Sequence, residues 1–217
     1  MTELVLDPAD AATASRPLSL VETKRAVGGV EMPLRRTLQY AARLRLPAGT
    51  SSDEADRVVD ETMCDLDLAD RGDVAVRMLS GGQRKRASIA VELLTQPRTL
   101  FLDEPTSGLD PSTSAEVVHL LRRLTGRGVT VVLTTHEPAT IDRCNQVVFL
   151  ARNGHLAFAG TPAQARRYFG VRDLVNVYDQ LASEDTPRVW AERFAAWRQP
   201  TEIPVEVARL AAAISVP

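Results

Sequence analysis

Cysteine, lysine, aromatic residues and long apolar runs are all scarce in this sequence of 217 residues. Its two cysteines, Cys64 and Cys144, stand far apart, with no CxxC pair and no histidine beside them to complete a metal site. We therefore expect two buried or half-buried thiols, as in a reducing compartment. The first residues have neither a basic region nor a sustained apolar core, so the sequence predicts no secretory signal. No apolar run approaches the roughly 20 residues of a membrane-spanning helix, so we expect a chain that does not cross a membrane.

Charge is nearly balanced along the chain. It carries 26 basic and 28 acidic residues, a formal net charge of -2. Such a balance gives no electrostatic reason to expect a nucleic acid as partner. The short basic run Arg84-Lys85-Arg86 is typical of a solvated helix face, and we interpret it so.

Apolar periodicity predicts alternating helices and strands in the middle of the chain, which is the pattern of an α/β fold with a parallel sheet. The predicted strands are a short one near 18–21, two buried ones at 99–102 and 129–134, and a hairpin with a two-residue turn at Asn153-Gly154. The predicted helices begin near residue 34, after Ser51, after residues 79–83, and at Asp110-Pro111.

These elements suggest four regions. They are a poorly ordered arm or remnant strand (1–30), a helical region ending at the glycine pair (31–95), an α/β core (96–160) and a helical tail (161–217). Of the six aromatic side chains in the tail, we expect five to act as packing anchors, namely Tyr168, Phe169, Tyr178, Trp190 and Trp197.

Two acidic residues, Asp103 and Glu104, follow the predicted strand at 99–102. Ligands of open α/β sheets collect at the carboxyl ends of the strands. A carboxylate there can hold Mg²⁺ through water, and the next one can orient a water for in-line attack on a phosphoryl group. Many strands end in acids simply for solubility, so this pair alone leaves both interpretations open.

A glycine pair precedes the helix predicted after residue 83, in the sequence Leu79, Ser80, Gly81, Gly82 and Gln83. Two glycines let backbone amides approach an anion, the serine adds a hydroxyl donor, and the helix dipole favours negative charge. An ordinary glycine-containing helix cap would look the same.

His136, which follows the strand at 129–134, could hydrogen-bond a terminal phosphate. We interpret His119 and His155 as structural histidines without a role in chemistry.

Taken together, these pieces resemble the ABC-type ATPases in order and spacing. Residues 79–83 resemble the signature motif, residues 100–104 the Walker B strand, and His136 the switch histidine. The D-loop is matched by Ser107, Gly108, Leu109 and Asp110. Further similarity at 37–44, 84–94, Tyr168-Phe169-Gly170 and Val177-Tyr178 looks like the White/ABCG-like exporters. The resemblance covers roughly residues 30–195.

The resemblance implies an incomplete P-loop NTPase (RecA-like) core with a helical signature subdomain and C-terminal helices. It also implies ATP and Mg²⁺ as cofactors, with Glu104 and His136 catalytic, Asp103 at the metal, and the signature and D-loop acting across a dimer. The implied partners are an intact ABC ATPase domain and a transmembrane permease. The implied location is cytoplasmic, at the inner face of the membrane.

The phosphate-binding loop of the family, GxxxxGK[ST], does not occur in these residues. Lys24 has no such glycines beside it, and Lys85 falls within a predicted helix. No aromatic residue precedes Tyr40 to stack on adenine, and Gln39, the one glutamine before the signature, sits in a helical pattern. The sequence therefore predicts a truncated domain that is inactive alone and uses ATP and Mg²⁺ only with a partner that bears a P-loop.

Four interpretations remain open from the sequence. The chain could be a fragment of an exporter ATPase, or a partner subunit that donates Ser80 and Gly82 to an intact ATPase. It could instead be the head of a chromosome-maintenance ATPase, although no flanking heptads are present. Finally, it could be an interaction module without nucleotide chemistry.

Overall fold

The computed structural model describes residues 18–21, 31–182 and 187–197, and for 18–21 only the backbone path. The chain divides into two compact units, one within Ala12–Val131 and one that begins at Val132. Among the described residues, no helix is both long and apolar enough to span a bilayer.

The first unit combines a parallel strand pair with four helices. Its elements are β1 (Leu18–Val21), α1 (Leu34–Arg45), α2 (Ser52–Asp65), α3 (Gly81–Leu93), β2 (Thr99–Asp103) and α4 (Pro111–Thr125). Strand β1 pairs in parallel with β2, from Leu18 opposite Thr99 to Val21 opposite Leu102. The sheet continues to β3 (Thr130–Thr134), which begins in this unit and pairs in the order β1-β2-β3. The predicted α/β class and parallel sheet are confirmed.

Local sequence explains where the helices begin and end. Helix α2 begins after Ser51, whose hydroxyl oxygen accepts the Glu54 N–H at 3.2 Å, and so satisfies one of the unpaired amides of the first turn. Helix α1 ends two residues before Pro47, which cannot continue a helix. Both helices turn their apolar stripe inward, with Leu38 and Val59 fully buried.

Helix α3 lies at the centre of this unit, against α1, α2, α4 and β1. Every residue from 87 to 93 is buried, including the carboxylate-bearing Glu92. A buried carboxylate needs a partner, and Arg45 Nη1 supplies one at 2.6 Å from Glu92 Oε2. From residue 87 to 93, α3 is therefore enclosed by neighbouring elements.

The second unit contains a hairpin covered by helices. Its elements after β3 are α5 (Pro138–Ile141), β4 (Val147–Leu150), β5 (Leu156–Gly160), α6 (Pro162–Phe169), α7 (Asn176–Ala182) and α8 (Pro187–Trp197). Strands β4 and β5 pair antiparallel, with Val147 opposite Gly160. Both α6 and α8 contact β5.

The two-residue turn predicted for this hairpin is wrong. Between β4 and β5, Ala151 N–H donates to His155 O at 2.8 Å, and Arg152–Gly154 form a 3-10 turn inside that bond. Asn153 and Gly154 do adopt positive φ, at 59° and 75°, as the Asn-Gly signal predicts. Arg152 adds a third loop residue, because the ladder stops one residue earlier than a two-residue turn requires.

Aromatic side chains form the core of the second unit. Phe158 is fully buried, with ring centroids 5.3 Å from Tyr168, 5.5 Å from Phe194 and 5.7 Å from Trp197. The Phe169 ring meets that of Trp190 at 5.4 Å. The predicted role of the tail aromatics as packing anchors is confirmed for Tyr168, Phe169, Trp190 and Trp197.

The thiol prediction is confirmed for one cysteine and wrong for the other. Cys144 is half-buried and its Sγ donates to Thr140 O at 3.1 Å. Cys64 is exposed, because it falls on the outer face of α2, opposite Val59 and Met63. Neither forms a disulfide.

Candidate functional site

The signature turn, residues 79–83, forms the N-terminal cap of α3. Ser80 Oγ accepts the Gln83 N–H at 3.3 Å, and Gln83 Oε1 accepts the Ser80 N–H at 2.9 Å. This reciprocal pair is a capping box, which fixes the first turn. Leu79 is buried, and its carbonyl accepts from Arg84 Nη1 at 2.6 Å. Because the Ser80 hydroxyl uses its oxygen as acceptor, its proton points elsewhere and can be donated.

Two backbone amides at this helix end remain available. Gly81 and Gly82 are the first two residues of α3, and their N–H groups have no acceptor among the residues that the structure describes. Amides in a first helical turn point outward along the axis, where the dipole favours an anion. The Ser80 hydroxyl and these amides have the arrangement that an anion requires, with Ser80 and Gly81 exposed and Gly82 buried.

Close packing supplies a second reason for glycine at position 82, one that sequence reasoning missed. A Cβ on Gly82 would lie 2.4 Å from Thr113 Cγ2, closer than atoms can pack, whereas one on Gly81 would lie 3.4 Å from Leu109 Cδ2. The signature turn therefore rests on the D-loop and the start of α4 within the same chain. Nothing in the sequence signals this contact, because it depends on the packing of α3 against α4.

The D-loop is a tight turn followed by a helix cap. Leu109 N–H donates to Thr106 O at 3.2 Å, and Gly108 has a φ of 77°, a conformation that favours glycine. Asp110 then caps α4, its Oδ1 accepting the Ser112 and Thr113 N–H groups, each at 3.1 Å. The predicted Asp cap is confirmed.

The Asp110 carboxylate is held in its ionised form. Hydrogen bonds from the Ser112 hydroxyl, and then from the Thr113 hydroxyl and amide, hold its pKa well below the usual range. Thr113 Oγ1 donates to Oδ2 at 2.6 Å. Both carboxylate oxygens are thus engaged with the first turn of α4.

The acidic pair stands at the carboxyl end of β2. Asp103 is the last residue of the strand and is exposed, and Glu104 is half-buried. Glu104 has a φ of 44°, in the left-handed region. Its carbonyl oxygen accepts the Ser107 N–H at 3.1 Å and Lys85 Nζ at 3.2 Å. The backbone around the candidate base is therefore tied to both the D-loop turn and α3.

Lys85 corrects our interpretation of the basic run as a solvated helix face. Arg84 is exposed, but Lys85 and Arg86 are half-buried and reach carbonyl oxygens of neighbouring loops, Glu104 O and Leu66 O respectively. Nothing in the sequence signals these contacts, because α3 is buried all round from residue 87 to 93 and has no single inward stripe.

Magnesium would have one evident carboxylate at this edge. The described residues hold no group of three His, Cys, Asp or Glu side chains placed to bind a metal. Mg²⁺ commonly uses one or two protein carboxylates and completes its shell with water and phosphate oxygens. The exposed Asp103 at the strand end fits that mode, and not a site built wholly from protein ligands.

His136 lies in the second unit, two residues beyond β3, and is exposed. The preceding residue is held firmly, since Thr135 Oγ1 accepts the Glu137 N–H at 3.1 Å and Thr135 O accepts from Tyr178 Oη at 3.4 Å.

Gln39 lies inside α1, as predicted, and its Nε2 donates to Asp56 Oδ1 at 2.7 Å. Lys24 lies outside the described residues.

Comparison with known proteins gives one family and a group of relatives. Residues 24–142, more than half of the chain, match the family described as "AAA domain, putative AbiEii toxin, Type IV TA system". The chain is 41% identical over 177 residues, 82% of its length, to an ABC transporter ATP-binding/permease protein of Mycobacterium tuberculosis.

Two further relatives are eukaryotic. The broad substrate specificity ATP-binding cassette transporter ABCG2 of Bos taurus is 41% identical over 145 residues. The ABC transporter G family member 13 of Arabidopsis thaliana is 37% identical over 145 residues. Each of these alignments covers 64% of the chain. The chain spans about a fifth of the length of these relatives, with 20%, 22% and 21% of them covered. It therefore belongs to the AAA domain family, and its relatives include ABC transporter ATP-binding proteins and members of the ABC transporter G family.

Proposed function

We propose that these residues are the signature-bearing part of an ATPase domain that powers export across a membrane. The observation that carries the proposal is the capped end of α3, where the Ser80 hydroxyl and the amides of Gly81 and Gly82 are arranged for an anion. The γ-phosphate of an ATP held by another ATPase domain has the charge and shape for such an end. The names of the ABC transporter relatives support ATP as the nucleotide and transport as the use.

In this proposal each motif has one task. The signature turn binds the terminal phosphate, Asp103 accepts hydrogen bonds from the water shell of Mg²⁺, and Glu104 orients the attacking water. His136 hydrogen-bonds the terminal phosphate. Asp110, at the D-loop, faces the partner across the dimer. Mg²⁺ would supply neutralisation of the phosphate charge.

ATP binding needs a phosphate loop from elsewhere, since GxxxxGK[ST] does not occur in these residues. Backbone amides and the lysine of that loop provide most phosphate contacts. The 217 residues alone are therefore expected to bind Mg-ATP weakly or not at all. Titration calorimetry that finds low-micromolar affinity for the purified chain would overturn this expectation.

The source of the loop decides which motifs work. If only a partner ATPase provides it, Ser80, Gly82 and Asp110 serve the partner's ATP, while the acidic pair and His136 are idle. If the loop lies on the same polypeptide outside these residues, both sets work. In both cases we propose that the ATPase assembles with a permease partner. That assembly would place it at the membrane surface.

The test is a steady-state ATPase assay of the complex with a P-loop-bearing ABC ATPase domain. Ser80→Arg should abolish turnover, because bulk and misplaced charge would occupy the phosphate position. Glu104→Gln should leave the rate almost unchanged if the loop is only the partner's, and should abolish turnover if the loop is on the same polypeptide. Ser51→Arg is a matched control, since Ser51 is also an exposed N-cap. Full activity of Ser80→Arg would refute the proposed role of the signature turn.

A further inference from the structure

The backbone of Glu104 is strained at the point from which the candidate base extends. Its φ of 44° lies in the left-handed region, although it is not glycine. Such a conformation is strained and persists only where the surroundings hold it. The surroundings of Glu104 must therefore provide a specific restraint.

Two donors converge on the Glu104 carbonyl oxygen. The Ser107 N–H at 3.1 Å closes the local turn, and Lys85 Nζ at 3.2 Å reaches it from another element. The lysine donor is charged, and hydrogen bonds from a charged donor are stronger than those between neutral groups. The next two residues, Pro105 and Thr106, are buried, so the turn has little room to relax.

Lys85 also connects the two motifs within one chain. It lies on α3, five residues after the Ser80 cap, and α3 is enclosed by α1, α2, α4 and β1. A rigid helix transmits displacement along its length, so a movement of the signature turn would move Lys85 and, through it, the Glu104 backbone.

We propose that Lys85 is a positioning residue that holds Glu104 in its left-handed conformation and couples the signature helix to the candidate base. Any activity of Glu104 rests on the proposed function above, but the restraint itself does not. The ammonium touches neither nucleotide nor water in this role. It acts through the peptide that orients the carboxylate.

The restraint can be tested without nucleotide, by amide hydrogen exchange of Ser107 in the 217-residue chain. Lys85→Met removes the charged donor and keeps the apolar stem, so Ser107 exchange should accelerate by about tenfold, the effect of losing one such hydrogen bond. Lys85→Arg should restore most of the protection. Arg86→Met is the matched control, because Arg86 reaches Leu66 O from the next position of the same helix.

Two results would overturn the proposal. One is unchanged Ser107 exchange in Lys85→Met. The other is equal acceleration in Arg86→Met, which would indicate general loosening of α3. If Lys85→Met does not fold, Lys85→Leu, which also lacks any side-chain donor, is used with the same criteria.

The activity arm uses an ATP-hydrolysing assembly in which Glu104→Gln is inactive. There Lys85→Met should lower kcat by about tenfold or more, the scale of a slightly misplaced catalytic group, and leave KM within about twofold. A normal kcat in Lys85→Met would refute the positioning role. If Glu104→Gln is active in every ATP-hydrolysing assembly tested, the role of Glu104 as base on this polypeptide is refuted, and the exchange result alone judges Lys85.

Discussion

The cores of the two units of this chain are built from different kinds of side chain. Eight of the ten aromatic residues follow residue 140, and those rings pack together around Phe158 in the second unit. The first unit has an aliphatic core, with Leu38, Val59 and Ile89 fully buried. Its motif-bearing turns are fixed by caps and close backbone approach. Removing a packed ring leaves a large cavity, whereas a capped turn depends on a few hydrogen bonds and close contacts. Substitutions in the motif-bearing turns of the first unit should therefore affect those turns and leave the aromatic core of the second unit unchanged.

The largest expected effect is in the aromatic core. Phe158→Ala should lower the free energy of unfolding by about 3–5 kcal/mol, because it empties a fully enclosed ring site. Urea unfolding followed by tryptophan fluorescence measures it. Leu44→Ala in the first unit is the control, since Leu44 is 87% exposed and should change stability by less than about 0.5 kcal/mol. A loss below about 1 kcal/mol for Phe158→Ala would contradict the contrast between the units.

The next effect is at the close approach of α3 to α4. Gly82→Ala should destabilise by about 1–3 kcal/mol, since its Cβ would overlap Thr113 Cγ2. Gly81→Ala, with 3.4 Å to its nearest neighbour, should be milder. Thr113→Ser removes the clashing methyl and keeps the hydroxyl, so it should rescue Gly82→Ala in a double-mutant cycle. Absence of rescue would mean that the clash is not the cause.

A smaller effect is expected at the α4 cap. Asp110→Ala removes the acceptor of the Ser112 and Thr113 amides and should lower the urea midpoint, whereas Asp110→Ser should retain part of the cap. The pKa of Asp110 is lowered on folding, so its stabilisation is present above its unfolded pKa, about 3.9. That stabilisation is lost as pH falls through the lower folded value. The difference between wild type and Asp110→Ala should therefore shrink in acid below about pH 4, and a constant difference from pH 7 to 2 would refute it.

The smallest effect, and of opposite sign, is at Tyr168. Its hydroxyl is buried without a hydrogen-bond partner in the part of the chain that the structure describes, so Tyr168→Phe should be neutral or stabilise by up to about 1 kcal/mol. Burial raises the Tyr168 pKa, and Arg193 partly opposes it. Stability from this group is thus complete below about pH 10 and is lost as pH rises through the folded pKa. Urea unfolding at pH 8 and above pH 10 should show the wild type losing more stability than Tyr168→Phe; a destabilised Tyr168→Phe at pH 8 would contradict the prediction.

Local signals predicted most elements of the fold. The Ser51 cap, the Asp110 cap and the strand predicted at 99–102 depend on neighbouring residues, and the structure confirms each, with the strand one residue longer. The Asn-Gly hairpin was predicted in the right place but with too short a loop, because the end of a strand ladder depends on the partner strand. The basic run was misread for a related reason: which face of α3 is covered depends on the loops that pack against it.

The sequence by itself determined the order of the motifs, the caps that begin α2, α3 and α4, and the absence of GxxxxGK[ST] from these residues. These are properties of neighbouring residues or of composition, and they need no fold to be recognised. Only the tertiary structure brought Lys85 to the Glu104 carbonyl, 19 residues away, and Gly82 against Thr113. Such contacts are decided by how separate helices and turns pack, since distance in space between them does not follow from distance along the chain.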